Sequence, residues 1–251
     1  MHKFKLITLA LDKYLYNYNF NMQEFETKIS SIKNLTAHDI ELVVELQSPA
    51  SVVFQAGQFM QFKIGEVYRS YSISCMPNIV NNSLQFCIGL FETGVGSNFF
   101  RQAKVGDIID MRGPFGVFVF KDFNRNVTFV ATGVGVAPFS SIIPDMLTKG
   151  YSGNVKLLFG VRHEEDIFYF DKFSHLSSLY PNFKFLPMLS RPKSHWPGET
   201  GRVTNYLDAH FQNLKDNLFY VCGGMEMIKD TRAILLKNNH PTKEIKLEIF
   251  T

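Results

Sequence analysis

Val127-Thr128-Phe129-Val130-Ala131-Thr132-Gly133-Val134-Gly135-Val136-Ala137-Pro138 decides the fold of this chain. Its first five residues are almost continuously apolar and rich in β-branched and aromatic side chains, as in a strand covered on both faces within a parallel sheet. Two glycines follow, and then a proline that suits the first turn of a helix, where its missing N–H is not needed. A glycine turn between a strand and a helix lets backbone amides approach a pyrophosphate at the helix N-terminus. The spacing falls short of G-x-G-x-x-G, and a plain tight turn is the other reading of these residues.

Downstream of this stretch, apolar runs alternate with helical periods. Helix 138–149 is followed by strand 155–161, helix 171–179, strand 183–189, helix 203–211, strand 218–222, helix 225–238 and strand 245–250. Strand–helix alternation of this kind predicts an α/β doubly wound parallel sheet of five strands over residues 124–251. Upstream the texture differs. Short runs at 25–32, 40–46, 58–64, 68–74, 83–88 and 108–112 are broken by turn residues, which predicts an antiparallel β-barrel or sandwich over residues 23–123, the barrel being preferred, with one short helix at Ser97–Gln102. The boundary falls near Lys121–Arg125.

A chain of 251 residues with 45% apolar and 20% charged residues fits a globular protein of two domains. A formal charge of +3 and the lack of a basic run interleaved with aromatics argue against nucleic acid as a partner. No apolar run nears the roughly 20 residues that span a bilayer. Cys75, Cys87 and Cys222 are odd in number and far apart, so a disulfide framework is not expected and a reducing compartment, the cytoplasm, is. They also lack the spacing of an iron–sulfur site, so electrons would have to leave for another molecule. The first 21 residues are rich in Tyr, Asn and Lys, so residues 1–22 read as an N-terminal extension; the true start is Met1 or Met22, which an intact mass from the native host would decide.

Tyr68-Arg69-Ser70-Tyr71-Ser72 puts Arg69 and Tyr71 on one strand face and Ser70 and Ser72 on the other. A guanidinium forks onto phosphate and a phenol ring lies against a flat heterocycle, although the same pair also makes ordinary cross-strand contacts. Further along come Gly94-Val95-Gly96-Ser97, Gly113-Pro114-Phe115-Gly116, Tyr220-Val221-Cys222-Gly223-Gly224 and Leu247-Glu248-Ile249-Phe250-Thr251. With the glycine turn at 133–138, these form an ordered set.

In that order they resemble the ferredoxin-NADP reductase superfamily of two-domain flavoenzymes, from about Glu24 to the C-terminus. The resemblance implies FAD held by Arg69, Tyr71 and Ser72 and by the phosphate turn Gly94, Gly96 and Ser97. It implies a nicotinamide nucleotide held by Thr132, Gly133, Gly135, Pro138 and Gly223. Arg162 would approach the pyrophosphate or make a surface ion pair. Ser190 and Arg191, with Lys193 nearby, resemble a grip on a 2′-phosphate, which favours NADPH; solvated loop cations are the alternative. Ser72, Cys222 and Glu248 are the catalytic set that the resemblance implies, with the Phe250 ring covering the flavin. Gly224, where the family often has Pro or Leu, and the additional Thr251 depart from its pattern. Trp196, Gly198 and Gly201-Arg202-Val203 resemble family members that serve as oxygenase reductases. The expected activity is hydride transfer from NADPH to FAD, then single electrons to a ferredoxin, a flavodoxin or an oxygenase component. The alternatives are a flavin reductase that releases reduced flavin and a non-catalytic subunit of a larger assembly.

Overall fold

The computed structural model describes residues 22–77, 82–122 and 125–250. The expectations for the leading segment and for Thr251 lie outside the described residues. The first sheet holds β1 (Gln23–Asn34), β2 (Asp39–Ser48), β3 (Phe59–Ile64), β4 (Val67–Ser72), β5 (Ser83–Gly89) and β6 (Ile108–Phe115). Their order is β4-β3-β6-β1-β2-β5, antiparallel throughout.

Alternation drives this sheet: Ile40, Leu42, Val44 and Leu46 of β2 are buried, and the residues between them are not. They join Phe25, Ile29, Phe62 and Phe86 in one core. Burying each such large side chain contributes about 1.5–3 kcal/mol. The two edge strands then meet, since Ile73 bridges Phe86 and the Ser74 N–H donates to the Gln85 carbonyl at 2.8 Å. This bridge curls the sheet into a barrel and covers edge groups that would otherwise stay unpaired. The short helix α1 (Val95–Gln102) begins two residues before the expected Ser97.

The second sheet is parallel. It runs β7 (Val127–Thr132), α2 (Ala137–Thr148), β8 (Val155–Val161), α3 (Phe170–Leu179), β9 (Phe183–Leu189), β10 (Glu199–Thr200), α4 (Val203–His210), β11 (Leu218–Gly223), α5 (Met225–Lys237) and β12 (Ile245–Ile249). The order is β10-β9-β8-β7-β11-β12. Five strands were expected, and the sixth, β10, is a correction: it is two residues long, too short to carry a hydrophobic period, and it pairs Glu199 with Met188 at the sheet edge. A 3-10 turn over Gly133–Val136 leads into α2.

Both faces of this sheet are covered. Phe129 and Ala131 pack into one core, while Val130 joins Leu158, Phe219 and Val221 in the other. The segment after β6 ties the two sheets together. Phe118 lies 5.9 Å from Phe139 and 5.3 Å from Tyr220 between ring centres, and the Tyr220 hydroxyl donates to the Val119 carbonyl at 3.2 Å. From β7 the chain steps to β8 on one side, and β11 lies on the other. The crevice of such a sheet forms where that order reverses, here at the C-terminal ends of β7 and β11.

Candidate active site at the seam of the two sheets

At that crevice the backbone packs too closely for any side chain. A Cβ on Gly135 would lie 2.3 Å from the Cys222 carbonyl oxygen and 2.6 Å from the Gly223 Cα. Gly223 itself has φ +150°, and a Cβ there would sit 2.5 Å from the Thr132 hydroxyl. Thr132, Gly135, Cys222 and Gly223 are therefore one contact surface, with Pro138 buried in the first turn of α2; Gly133 is held in the same turn by its φ of +51°, with open space where a Cβ would be. The Phe250 N–H donates to the Gly223 carbonyl at 3.1 Å, and the Phe250 ring packs on the core that contains Cys222.

Ser72 reaches this surface from the barrel. Its buried hydroxyl donates to Glu248 Oε1 at 3.1 Å, across the two sheets. Glu248 stands beside Cys222 in the β11–β12 register. Burial lifts the Glu248 carboxyl to about 7, against the lowering effect of the Ser72 bond. The Cys222 thiol is pushed well up, first by burial and then by the charge of Glu248, so it is a neutral thiol. Three groups from three strands thus converge: a hydroxyl, a carboxyl that changes protonation near neutrality, and a thiol.

The barrel side presents a second cluster. A Cβ on Gly96 would fall 2.2 Å from the Tyr71 hydroxyl and 3.9 Å from Arg69 Cγ, so the start of α1 lies directly against the face that Arg69 and Tyr71 share. Burial raises the Tyr71 phenol to about 12, with Arg69 acting in the opposite direction. Arg69 is exposed and its guanidinium bonds the neighbouring Tyr68 carbonyl at 2.9 Å. Gly94, at φ +133°, caps α1 without a side chain, which leaves the first-turn amides free for an acceptor from outside. Ser97 is braced within the same loop. Its hydroxyl accepts the Phe91 N–H at 3.0 Å and so braces the loop, leaving only its backbone amide on the anion side. A cation, an aromatic ring and uncapped amides fit a flavin nucleotide with its phosphates.

On the far rim, the Ser190 and Arg191 amides donate to the Val161 and Arg162 carbonyls at 3.0 and 2.8 Å, which aligns the ends of β8 and β9. Among the described residues neither the Arg162 nor the Arg191 guanidinium has a hydrogen-bond or ion-pair partner, and both residues are exposed. Lys193 is different, because its ammonium is ion-paired with Glu165. Glu164 holds the same loop, accepting the Lys193 and Ser194 amides and the Ser194 hydroxyl at 2.8–3.1 Å, which keeps its carboxyl down at about 2. Sequence reasoning missed these acidic anchors, which follow β8 and carry no signal that pairs them with a loop 29 residues on.

Models of two domain families match the chain: the oxidoreductase FAD-binding domain over residues 26–120 and the oxidoreductase NAD-binding domain over residues 129–233. The chain is 30% identical over 236 residues to the phenol hydroxylase P5 protein of Acinetobacter pittii, covering 91% of this chain and 66% of that one. It is 27% identical over 208 residues to the toluate 1,2-dioxygenase electron transfer component of Pseudomonas putida, covering 82% and 61%. The chain therefore spans less than two thirds of the length of these curated relatives. Among solved structures it is similar to a ferredoxin NADP+ reductase from Neisseria gonorrhoeae with bound FAD and NADP, at 27% identity and a TM-score of 0.78, covering 90% of this chain and 98% of that one. With both domains matched in order and the same two-sheet architecture, the chain belongs to the ferredoxin-NADP reductase-like superfamily. No helix among the described residues is long and apolar enough to cross a membrane.

Proposed function

We propose that this chain is the flavin- and nicotinamide-binding part of a reductase that takes a hydride from NADPH and passes electrons to a separate carrier. The observation that carries the reading is the Ser72–Glu248 hydrogen bond of 3.1 Å, which joins the flavin strand to the nicotinamide sheet beside Cys222. Arg69 and the amides of the Gly94–Ser97 turn hold the FAD phosphates, and Tyr71 and Phe250 offer rings to the flavin. The turn from Thr132 through Gly133 and Gly135 to Pro138, with Gly223, receives the nicotinamide nucleotide's diphosphate, and Arg162 stands near it. Ser190 and Arg191 receive a 2′-phosphate, Arg191 being the cation of that loop not already ion-paired. Bound FAD supplies a two-electron acceptor that releases electrons singly.

The chain's own residues do the rest. Ser72 orients its hydroxyl toward the Glu248 carboxyl, and Glu248, titrating near 7, holds or releases a proton at that carboxyl in the working range. Cys222, neutral and buried, shapes the pocket and keeps water out. The carrier is a ferredoxin, a flavodoxin or an oxygenase component, in line with relatives that are named as oxygenase electron-transfer or reductase components. The unpaired Cys75, Cys87 and Cys222 suit a cytoplasmic setting.

The test is Ser72→Ala in FAD-loaded protein. Reduction by NADPH should slow by about tenfold or more while FAD affinity stays within about threefold, because the hydroxyl acts on the chemical step. A native rate contradicts the reading.

A further inference from the structure

Lys172 belongs to none of the motifs above. It lies on α3, yet its ammonium reaches the seam and donates to both the carbonyl and the hydroxyl oxygen of Ser140, at 2.9 and 2.6 Å. The Ser140 hydroxyl in turn donates to the Ser74 carbonyl at 2.8 Å, and the Ser141 hydroxyl donates to the Cys75 carbonyl at 2.6 Å. Ser140 is two residues beyond Pro138 on α2, and Ser74 is two beyond Ser72. The bonds thus connect the helix that follows the nicotinamide turn to the strand end that carries Ser72.

The Ser140 carbonyl is open for a specific reason. Pro144 sits inside α2 and lacks the N–H that would donate to the carbonyl four residues back. Ser140 is fully buried, so an unpaired carbonyl there would be costly. An ammonium has three donors and no acceptor. When it donates to the Ser140 hydroxyl, the single hydroxyl proton must go elsewhere, and it goes to Ser74. A serine inside a helix otherwise tends to turn that proton back onto its own preceding turn. The Tyr169 ring lies 5.3 Å from the ammonium, and desolvation draws the amine down to about 8, a cost that an apolar side chain would not carry.

We propose that Lys172 is a positioning residue that aims the Ser140 hydroxyl at Ser74, sets the 133–138 turn against Ser72, and thereby governs the rate of hydride transfer. The inference rests on the reductase reading above. The competing role, repair of the helix alone, is separable, because Pro144→Ala returns an N–H to the Ser140 carbonyl.

The experiment follows flavin reduction in FAD-loaded protein by stopped flow at saturating NADPH, with KM, FAD affinity and Tm measured alongside. Lys172→Met should slow reduction about tenfold with KM and FAD affinity within about twofold, since small misplacements act on the chemical step rather than on binding. Pro144→Ala in the Lys172→Met background should recover Tm but not the rate, and Ser140→Ala alone should reproduce the slow rate. A native rate in Lys172→Met, or recovery of both Tm and rate in the double variant, overturns the proposal. If Lys172→Met does not retain FAD, Ser140→Ala decides, and a native rate there overturns it equally. Wild-type protein that binds FAD but is not reduced would sink the reductase reading and this inference together, whereas fast reduction in every variant sinks this inference alone.

Discussion

The two halves of the site are built from different parts of the chain. In the nicotinamide half the site is backbone: Gly135 lies against the Cys222 carbonyl and Gly223 against Thr132, so the shape of the crevice and the stability of the sheet are one thing. The flavin half leans on side chains, an exposed Arg69 and a half-buried Tyr71 whose ring packs edge-on against Phe62 and Phe100 of the barrel core, with the amides at the glycine start of α1 beside them. Arg69, exposed on the barrel surface, can change without unfolding the protein, whereas Gly135 and Gly223 cannot.

Gly135→Ala is the sharpest test of that difference. Its new Cβ meets backbone at 2.3 Å, which cannot step aside. The expected cost is about 3 kcal/mol, the upper end for an overpacked site, or a fall in Tm of roughly 6–12 °C by calorimetry. Arg191→Ala comes next and should leave Tm unchanged, because the guanidinium is exposed and unpaired. Its KM for NADPH should rise about tenfold and that for NADH hardly at all, as expected on losing a charge-assisted bond to a 2′-phosphate; equal effects on both would remove the preference for NADPH. Gly96→Ala also meets an atom too close, at 2.2 Å, but that atom is the tip of Tyr71. The ring can shift, so FAD affinity should fall about fivefold, and the Tm of the FAD-free protein should fall by no more than roughly 2–4 °C, in keeping with about 1 kcal/mol, the low end for an overpacked site. A Tm loss as large as that of Gly135→Ala would erase the contrast.

The last expected effect is a slope with pH rather than a fixed offset. Burial raises Glu248 from an ordinary 4.5 to about 7. Between those values the native state keeps a proton that the unfolded chain has released. The stabilisation from this group is therefore full below about pH 4.5 and is lost as pH rises through about 7. Glu248→Gln should remove that part of the pH dependence of Tm, and an unchanged profile would show that the carboxyl titrates normally.

Most of the fold was legible because its signals are local. Alternation marked the barrel strands, and continuous apolar runs followed by helical periods marked the parallel sheet. The two-residue β10 was not legible, since its pairing with β9 has no hydrophobic period behind it. Ser72, Cys222 and Glu248 were singled out through family resemblance, but their convergence depends on strand order, which no local pattern carries. The Lys172 network was half-legible. Pro144 inside an expected helix points to an open carbonyl at Ser140, but nothing in the sequence says that a cation on a different helix fills it. That the Ser97 hydroxyl accepts the Phe91 N–H and braces the loop was not legible, since no local pattern pairs those two residues.

In the function proposed for this chain, reduced nicotinamide and flavin meet where Ser72 and Glu248 join the two sheets. An anaerobic absorbance titration of the FAD-loaded protein with NADPH and, separately, NADH addresses it most directly. Stoichiometric bleaching of the flavin band by NADPH at concentrations well below those needed of NADH is the predicted result. Bound FAD left oxidised by an excess of either nucleotide would contradict it.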